Sequence, residues 1–308
     1  MLRSIFGLVV FAALLASAGA QQAPGTAPAT GRPVSSGSLQ QIIPGHYLYI
    51  SAAPGRMSYN SGIVVTSDGV LVLDALDSEA IARSQLAAIG NVIKQPVRYL
   101  VSSPHHENYT DGNVAYRNVF KIGHENYQRA LVQLLTDARL PPEYQKARLP
   151  DLTFRDRITL HLGGKEIQVL YMGRGHTRGD CIVYVPQDRI VYLSELFFSE
   201  QFPNMAEGYG VSWLETLNAI ESLDAEIFVP GHGPLPANPR DTRQGLRRMR
   251  QIFVDARDGL RSEIARGATE DQAVAAVKLE QYSTMPTYER QREILVRRMY
   301  QELKGTLQ

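Results

Sequence analysis

The sequence predicts a layered α/β fold that ends in a helical tail. Between residues 41 and 229, short apolar runs typical of strands alternate with polar turns and with segments of helical spacing. Histidines and acidic residues gather in four loops that each follow one of these runs, which is where layered α/β folds usually build their sites. After residue 240 the spacing is helical and no strand pattern remains.

The predicted strands are short, and several are joined by turn signals. Turns at 67–69 (Ser-Asp-Gly), 163–164 (Gly-Gly) and 186–188 (Pro-Gln-Asp) each separate two apolar runs, so each pair is predicted to form a hairpin. The predicted strands are 41–51, 62–66, 70–73, 97–101, 157–162, 166–172, 182–185, 190–193 and 227–229.

Helical spacing recurs twice in the body and three times in the tail. In the first helix, Ile81, Leu86, Ile89 and Val92 are predicted to share one buried face. The predicted helices are 78–94, 213–223, 243–266, 269–279 and 288–304.

Composition is that of a globular protein with an ordinary core. Of the 308 residues, 44% are hydrophobic and 20% charged, and the formal net charge is +1. This balance gives no electrostatic case for nucleic acid or an anionic membrane as a partner. The single cysteine, Cys181, excludes internal disulfides and Cys-rich zinc clusters, and its apolar neighbours predict a buried thiol.

The N-terminus has the pattern of a secretory signal. Arg3 is followed by an apolar run at 5–16 and by a small-residue cleavage site, Ala-Gly-Ala, at 18–20. The run is shorter than the about 20 residues that span a bilayer. We therefore expect a secreted protein, periplasmic in a Gram-negative cell, with no membrane span after cleavage. The expected organisation is a signal peptide (1–20), a disordered linker (21–38), a main domain (39–240) and a C-terminal helical extension (241–308).

Four polar loops contain the candidate chemistry. They read Val-Ser-Ser-Pro-His-His-Glu-Asn-Tyr-Thr-Asp-Gly-Asn at 101–113, Gly-Arg-Gly-His-Thr-Arg-Gly-Asp at 173–180, Leu-Ser-Glu-Leu-Phe-Phe at 193–198 and Val-Pro-Gly-His-Gly-Pro at 229–234. In this order they resemble the metal motifs of the metallo-β-lactamase superfamily: H-x-H-x-D-H, G-x-G-H-T, an acid after a strand, and P-G-H-G. The resemblance covers roughly residues 40–235 and implies a four-layer αβ/βα sandwich.

The resemblance fails at several ligand positions. Pro104 stands in place of the first histidine, Asn108 in place of the aspartate and Tyr109 in place of the last histidine. Glu195 replaces the bridging aspartate. Proline offers no donor atom, an amide oxygen is a weak neutral ligand, and a phenol with a pKa near 10 ligates only as phenolate. The usual two-metal site is therefore not expected.

The retained residues suffice for one metal ion. His106, His176, Glu195 and His232 offer three imidazoles and one carboxylate, which can hold a single zinc, or iron as the alternative. His105 is adjacent to His106, so its side chain should point elsewhere unless the loop shifts to compensate for Pro104.

The resemblance also implies a small-molecule substrate, in which metal-activated water hydrolyses an ester, thioester, amide or lactam bond. Tyr109 is the candidate proton donor or oxyanion stabiliser, Glu107 or Asp111 the candidate base, and Asn108 the neutral group in the place of a catalytic-site carboxylate. Asp74, which ends a strand, is expected to be structural or to support the ligands rather than to catalyse.

Two alternatives stay open. In the first, the chain is a catalytically degenerate member that binds no metal and acts as a ligand-binding or accessory protein in the periplasm. The second concerns the C-terminal helices, which either pack beside the mouth of the site or form a homodimer contact.

Overall fold

The computed structural model describes residues 37–51, 58–137 and 141–307. The expected signal peptide and nearly all of the expected linker lie outside the described residues. The first strand, β1 (Gly37–Ile43), begins two residues before the expected start of the main domain. A search of the described helices found none with the length and apolarity needed to cross a bilayer.

The first sheet has seven strands in sequential order. Strands β1 to β4 form an antiparallel meander, and β4 to β7 are parallel. One long strand was expected at 41–51, but Pro44 and Gly45 (φ +80°) form a turn that divides it. After β1 the strands are β2 (His46–Ser51), β3 (Tyr59–Thr66), β4 (Gly69–Leu73), β5 (Val97–Ser102), β6 (Phe120–His124) and β7 (Leu152–Phe154).

The second sheet has five strands in the order β12-β11-β10-β9-β8. All pairs are antiparallel except β11 with β12, which run parallel. The three predicted hairpins are present. The strands are β8 (Arg157–Leu162), β9 (Lys165–Leu170), β10 (Ile182–Val185), β11 (Ile190–Tyr192) and β12 (Ile227–Val229).

Helices cover the outer face of each sheet. Between the strands of the first sheet, the chain forms α1 (Glu79–Val92), α2 (Glu107–Thr110), α3 (Glu125–Asp137) and α4 (Pro142–Arg148). In the second half of the chain, α5 (Gly210–Glu221) precedes β12, and α6 (Thr242–Ala265), α7 (Glu270–Ala276) and α8 (Tyr288–Lys304) follow it. The predicted face of α1 is wrong at one position, because Val92 is 57% exposed while Gln85 is buried.

Three apolar clusters hold the layers together. Between the sheets, Val64 and Ile122 of the first sheet belong to the same core as Val183 and Val229 of the second. A second cluster joins α1 to the outer face of the first sheet. The third joins the outer face of the second sheet to α5, α6 and α8. The order helix, sheet, sheet, helix confirms the four-layer sandwich.

The C-terminal helices contribute buried side chains to this core. Phe253 of α6 packs on Trp213 of α5 with 5.0 Å between ring centroids, and both side chains are fully buried. Burial of large aromatic side chains is among the strongest contributions to a core. The extension therefore completes the outer layer on the second sheet.

Candidate metal centre

A buried carboxylate, that of Glu195, lies at the centre of the candidate site. Its Oε2 is 2.6 Å from His176 Nε2 and 3.1 Å from His106 Nδ1. Its Oε1 is 3.0 Å from His232 Nε2. Glu195, His176 and His232 are at most 1% exposed, while His106 is partly open to solvent. The four residues that the sequence proposed as ligands are thus brought together.

Each of these residues comes from a loop at a strand end. His106 follows β5 and caps the N-terminus of α2, and His176 lies between β9 and β10. Glu195 is in a short 3-10 turn after β11, and His232 follows β12. Because β11 and β12 are parallel neighbours, their carboxyl ends deliver Glu195 and His232 to the same edge.

The loops fit closely where they meet. A Cβ on Gly231 would collide with the backbone of Ser194, so only glycine allows the two loops to approach. In the His176 loop, Asp180 accepts hydrogen bonds of 2.6 Å from both the backbone N–H and the hydroxyl of Thr177. Burial raises the pKa of Asp180, and this carboxyl fixes the turn that presents His176.

On each ring, one nitrogen faces Glu195 (the inner nitrogen) and the other faces away from it (the outer nitrogen). The partners of the outer nitrogens indicate which nitrogen holds the proton. His176 Nδ1 is 2.9 Å from the Asn204 carbonyl, and His232 Nδ1 is 2.9 Å from the Ser58 carbonyl. His106 Nε2 faces a carboxylate oxygen of Glu207 at 3.4 Å. Each outer partner only accepts, so in a neutral ring the proton is on the outer nitrogen and the lone pair is on the inner nitrogen.

The inner lone pairs then face the Glu195 carboxylate, which has no proton to share. Burial raises the pKa of Glu195, but the charge of a protonated His176 and hydrogen bonds donated by protonated rings outweigh burial and hold that pKa well below its usual range. Acceptors at these distances repel unless a cation, either a proton on each ring or a metal ion, lies among them. One divalent ion satisfies the same lone pairs with less charge than three protonated rings.

His106 shows how strongly this environment favours a cation. Burial lowers its pKa, but the hydrogen bonds and charges of Glu195 and Glu207 prevail and raise it to about 10. The ligand atoms of His106, His176 and Glu195 all lie within 4.8 Å of one another, which is the spacing of a metal cage. His232 falls outside that tightest group and reaches the other oxygen of Glu195.

Tyr109 occupies the position next to His232. Its hydroxyl is 3.0 Å from His232 Nε2 and 3.1 Å from the Gly231 carbonyl. The side chain is fully buried, and burial raises its pKa well above the ordinary value of 10.0. Tyr109 therefore keeps its proton and acts as a hydrogen-bond donor.

The other acid-base candidates lie away from Glu195. Glu107 is exposed and Asn108 half-buried, and among the described residues neither side chain makes a hydrogen bond to this cluster. The carboxylate of Asp111 pairs with Arg148. Of the residues named as candidate catalytic groups, Tyr109 is the one that contacts the proposed ligands.

Sequence reasoning missed Glu207. Its Oε2 is 3.2 Å from His105 Nε2, so His105 faces Glu207 rather than Glu195. His105, His106 and Glu207 form a second group of atoms close enough to hold a cation. Glu207 lies in a loop with no motif or periodic pattern, so no feature of the sequence predicts its place at the site.

Asp74 ties two of the site loops together from below. Its Oδ1 accepts a 3.0 Å hydrogen bond from the Ser103 N–H, and its Oδ2 accepts a 2.5 Å bond from the Ser194 hydroxyl. The residue has φ +70°, a left-handed conformation that Asp tolerates better than most. Burial raises its pKa to about 7, against the opposing effect of these hydrogen bonds. Asp74 supports the site and is not in contact with Glu195.

Comparison with known proteins agrees with this architecture. The sequence model of the metallo-beta-lactamase superfamily matches residues 54–232. The 2,4-dinitroanisole O-demethylase subunit alpha of Nocardioides sp. (strain JS1661) is 22% identical over 168 residues, 53% of this chain and 49% of that protein. The metallo-beta-lactamase type 2 of Bacteroides fragilis is 23% identical over 206 residues, 64% of this chain and 79% of that protein.

Solved structures give the same fold. The stereoselective inverting sec-alkylsulfatase Pisa1 from Pseudomonas sp. superposes with a TM-score of 0.65 at 16% identity, over 87% of this chain and 50% of that one. Our chain therefore spans about half the length of both the alkylsulfatase and the demethylase subunit. At this level of identity the likeness concerns the fold alone.

The raised pKa of Asp74 predicts a pH-dependent stability. Asp74→Asn keeps both hydrogen bonds in a neutral form, since an amide oxygen accepts from Ser103 and its nitrogen donates to Ser194. In the wild type the carboxyl pKa is about 7 when folded and near 3.8 when unfolded, so unfolding between these values releases a proton. The wild-type free energy of unfolding should fall relative to Asp74→Asn as pH rises from about 4 to about 7, by up to about 1.4 kcal/mol per pH unit.

Urea denaturation of both chelator-treated proteins across this range measures the difference. Parallel stability curves would show that the Asp74 carboxyl titrates normally and does not carry the cost of burial described here.

Proposed function

Because the chain belongs to the metallo-beta-lactamase superfamily, we propose that it is a hydrolase that uses one divalent metal ion to activate water. The proposed ligands are His106, His176, Glu195 and His232. The proposed metal is zinc, with iron as the alternative, because imidazole and carboxylate donors suit both. The substrate is proposed to be a small molecule with an ester, thioester, amide or lactam bond.

One observation supports this proposal above the others. Three imidazoles each turn one nitrogen toward Glu195 and direct the opposite nitrogen at a carbonyl or carboxylate. Metal-binding histidines have this arrangement, in which the outer acceptor fixes the tautomer and the ring orientation. Without a metal ion, the same arrangement would need protonated rings that donate to the carboxylate.

The proposal of one ion follows from the donors that remain. Around His232, the residues at the two neighbouring family positions are Asn108, a neutral amide, and Tyr109, a buried phenol whose raised pKa opposes ligation as phenolate. Pro104 removes a donor from the His106 side. The remaining three imidazoles and one carboxylate would hold one zinc, whose coordination can expand from four to five ligands to admit a water.

The side chains have distinct proposed roles in the reaction. The ion, when bound, supplies the Lewis acidity that makes water nucleophilic near neutral pH and polarises the substrate carbonyl. Asn204 and Ser58 orient the rings of His176 and His232 through their carbonyls. Tyr109, protonated and 3.0 Å from His232 Nε2, is placed to donate a hydrogen bond to developing negative charge. Asn108 and Glu107 are kept as candidates for contact with the substrate from the rim, where Glu107 is exposed.

We also propose that the protein is exported. The support is the signal-like pattern of residues 1–20, with its basic start, apolar run and small-residue cleavage site. The relatives include a lactamase and a sulfatase, so the family does not single out antibiotics as substrates.

Replacing a proposed ligand should remove the metal. His176→Ala is expected to lower metal content from about one equivalent to near zero, because it leaves an incomplete donor set. The matched control is His161→Ala, which changes an exposed histidine of β8 and should leave metal content unchanged. Elemental analysis of the purified proteins measures both.

The metal content also distinguishes a metal-dependent enzyme from a catalytically degenerate protein. Wild-type protein that is folded and metal-free, and that a chelator does not alter, would support a ligand-binding or accessory role instead. Equal metal content in wild type and His176→Ala would show that the ion lies elsewhere.

Restoring the family motif should add a second ion. The triple variant Pro104→His, Asn108→Asp, Tyr109→His supplies two imidazoles and a carboxylate at the lost positions, so metal content is expected to rise from about one equivalent toward two. The double variant Pro104→His, Asn108→Asp, which leaves Tyr109 beside His232, should gain less. An unchanged content in the triple variant would mean that this loop does not border the metal.

A further inference from the structure

Three arginines surround the ring of Tyr209 beside the metal centre. The guanidinium carbons of Arg174, Arg178 and Arg298 lie 4.8, 5.6 and 5.6 Å from the ring centroid. The Tyr209 side chain is buried beneath them. Stacking of guanidinium groups on an aromatic ring offsets part of their mutual repulsion but does not neutralise their charge.

These three arginines form hydrogen bonds to neutral groups, whereas other arginines of the described residues pair with carboxylates. Arg174 donates to the Ser212 hydroxyl at 3.3 Å, and Arg178 donates to the Tyr209 hydroxyl. Arg298 donates to the backbone carbonyls of Gly208 and Glu207 at 2.7 and 2.8 Å. Across residues 37–51, 58–137 and 141–307, no ion pair joins any of the three to a carboxylate, in contrast to arginines such as Arg148, Arg189 and Arg297.

The nearby carboxylates form hydrogen bonds or ion pairs with groups other than these arginines. Glu302 accepts hydrogen bonds from the N–H groups of Val211 and Ser212 and from the Ser212 hydroxyl, which caps the N-terminus of α5. Glu207 directs its oxygens at His105 and His106. Three positive charges therefore share one small region in which neither carboxylate pairs with them.

The cluster adjoins the proposed metal ligands. Arg174 and Arg178 stand two residues before and two residues after His176. The side chain of Glu207 contacts His106, and its backbone carbonyl accepts a hydrogen bond from Arg298, so one residue joins the cluster to the metal centre. Tyr209 is fixed to the His176 loop by a 2.8 Å hydrogen bond from its N–H to the Gly175 carbonyl.

We propose that Arg174, Arg178 and Arg298 bind an anionic group of the substrate, a carboxylate or a sulfate, while the bond to be hydrolysed lies at the metal centre. The inference rests on the proposed function and names the substrate class for it. Guanidinium groups bind such oxyanions with paired, charge-assisted hydrogen bonds, and an oxyanion relieves the repulsion within the cluster. Because Arg298 belongs to α8, the C-terminal extension contributes directly to substrate recognition.

Binding of non-hydrolysable anions tests this assignment without turnover. Succinate and inorganic sulfate are titrated by calorimetry into the full-length metal-containing protein. Arg178→Gln removes one exposed charge of the cluster and is expected to raise the Kd of the bound anion about tenfold, the usual weight of one charge-assisted hydrogen bond. Arg178→Lys keeps the charge without the planar donor pair, so its Kd should lie between those of the wild type and Arg178→Gln.

The matched control is Arg83→Gln, which removes the same charge from α1, where Arg83 pairs with Glu79. The Kd of Arg83→Gln should equal that of the wild type. A higher salt concentration should weaken anion binding to the wild type, because salt screens the charges. Binding of sulfate alone indicates a sulfate ester as the substrate class, and binding of succinate alone indicates a carboxylate. Failure of the wild type to bind either anion, or an equal Kd in wild type and Arg178→Gln, overturns the proposal.

Titration of His176→Ala separates this inference from the proposed function. Anion binding that persists in the metal-free variant and still depends on Arg178 supports the arginine site even if the wild type proves to hold no metal. Loss of Arg178 dependence, with metal content as proposed, removes the arginine site and leaves the hydrolase proposal in place.

Discussion

The carboxylate of Glu195 is buried against three imidazole nitrogens, and the geometry around it follows from the need to satisfy that charge. Removing an ion from water costs several kcal/mol, which is recovered when the compensating groups surround it at bonding distance. Here those groups come from the ends of β5 and β12 and from the loop before β10. The packing of the two sheets and the register of their strands place those nitrogens around one carboxylate.

Bringing these loops together destabilises the folded state, and the destabilising features lie next to the site. Asp74, Leu76 and Ser194 adopt positive φ without being glycine, and Asp74 and Asp180 are carboxyls buried completely. Such features each oppose folding and persist only where the surrounding structure determines them. They lie beneath the loops that hold His106, His176 and Glu195, which is consistent with a site whose geometry is selected at the expense of stability.

Much of the fold and the inner part of the site could be predicted from the sequence, because both depend on local pattern. His106, His176, Glu195 and His232 each stand in a motif at a strand end, and parallel strands bring such ends together. The prediction for α1 was wrong at Val92, which is exposed, while Gln85 is buried with partners in Ser61 and Tyr116 that spacing alone does not reveal. Glu207 and Arg298 could not be found, since their place depends on how α8 holds a loop that has no pattern of its own. The hydroxyl of Tyr109 likewise meets His232 only through tertiary packing.

The central claim is that one metal ion lies among the inner nitrogens of His106, His176 and His232 and the carboxylate of Glu195. Anomalous diffraction from crystals of the purified protein, recorded at the zinc and iron edges, locates such an ion directly. The account predicts a single peak roughly 2.0–2.2 Å from these donor atoms. A crystal of the folded protein with no peak there, or with a peak held by His105 and Glu207 instead, would contradict it.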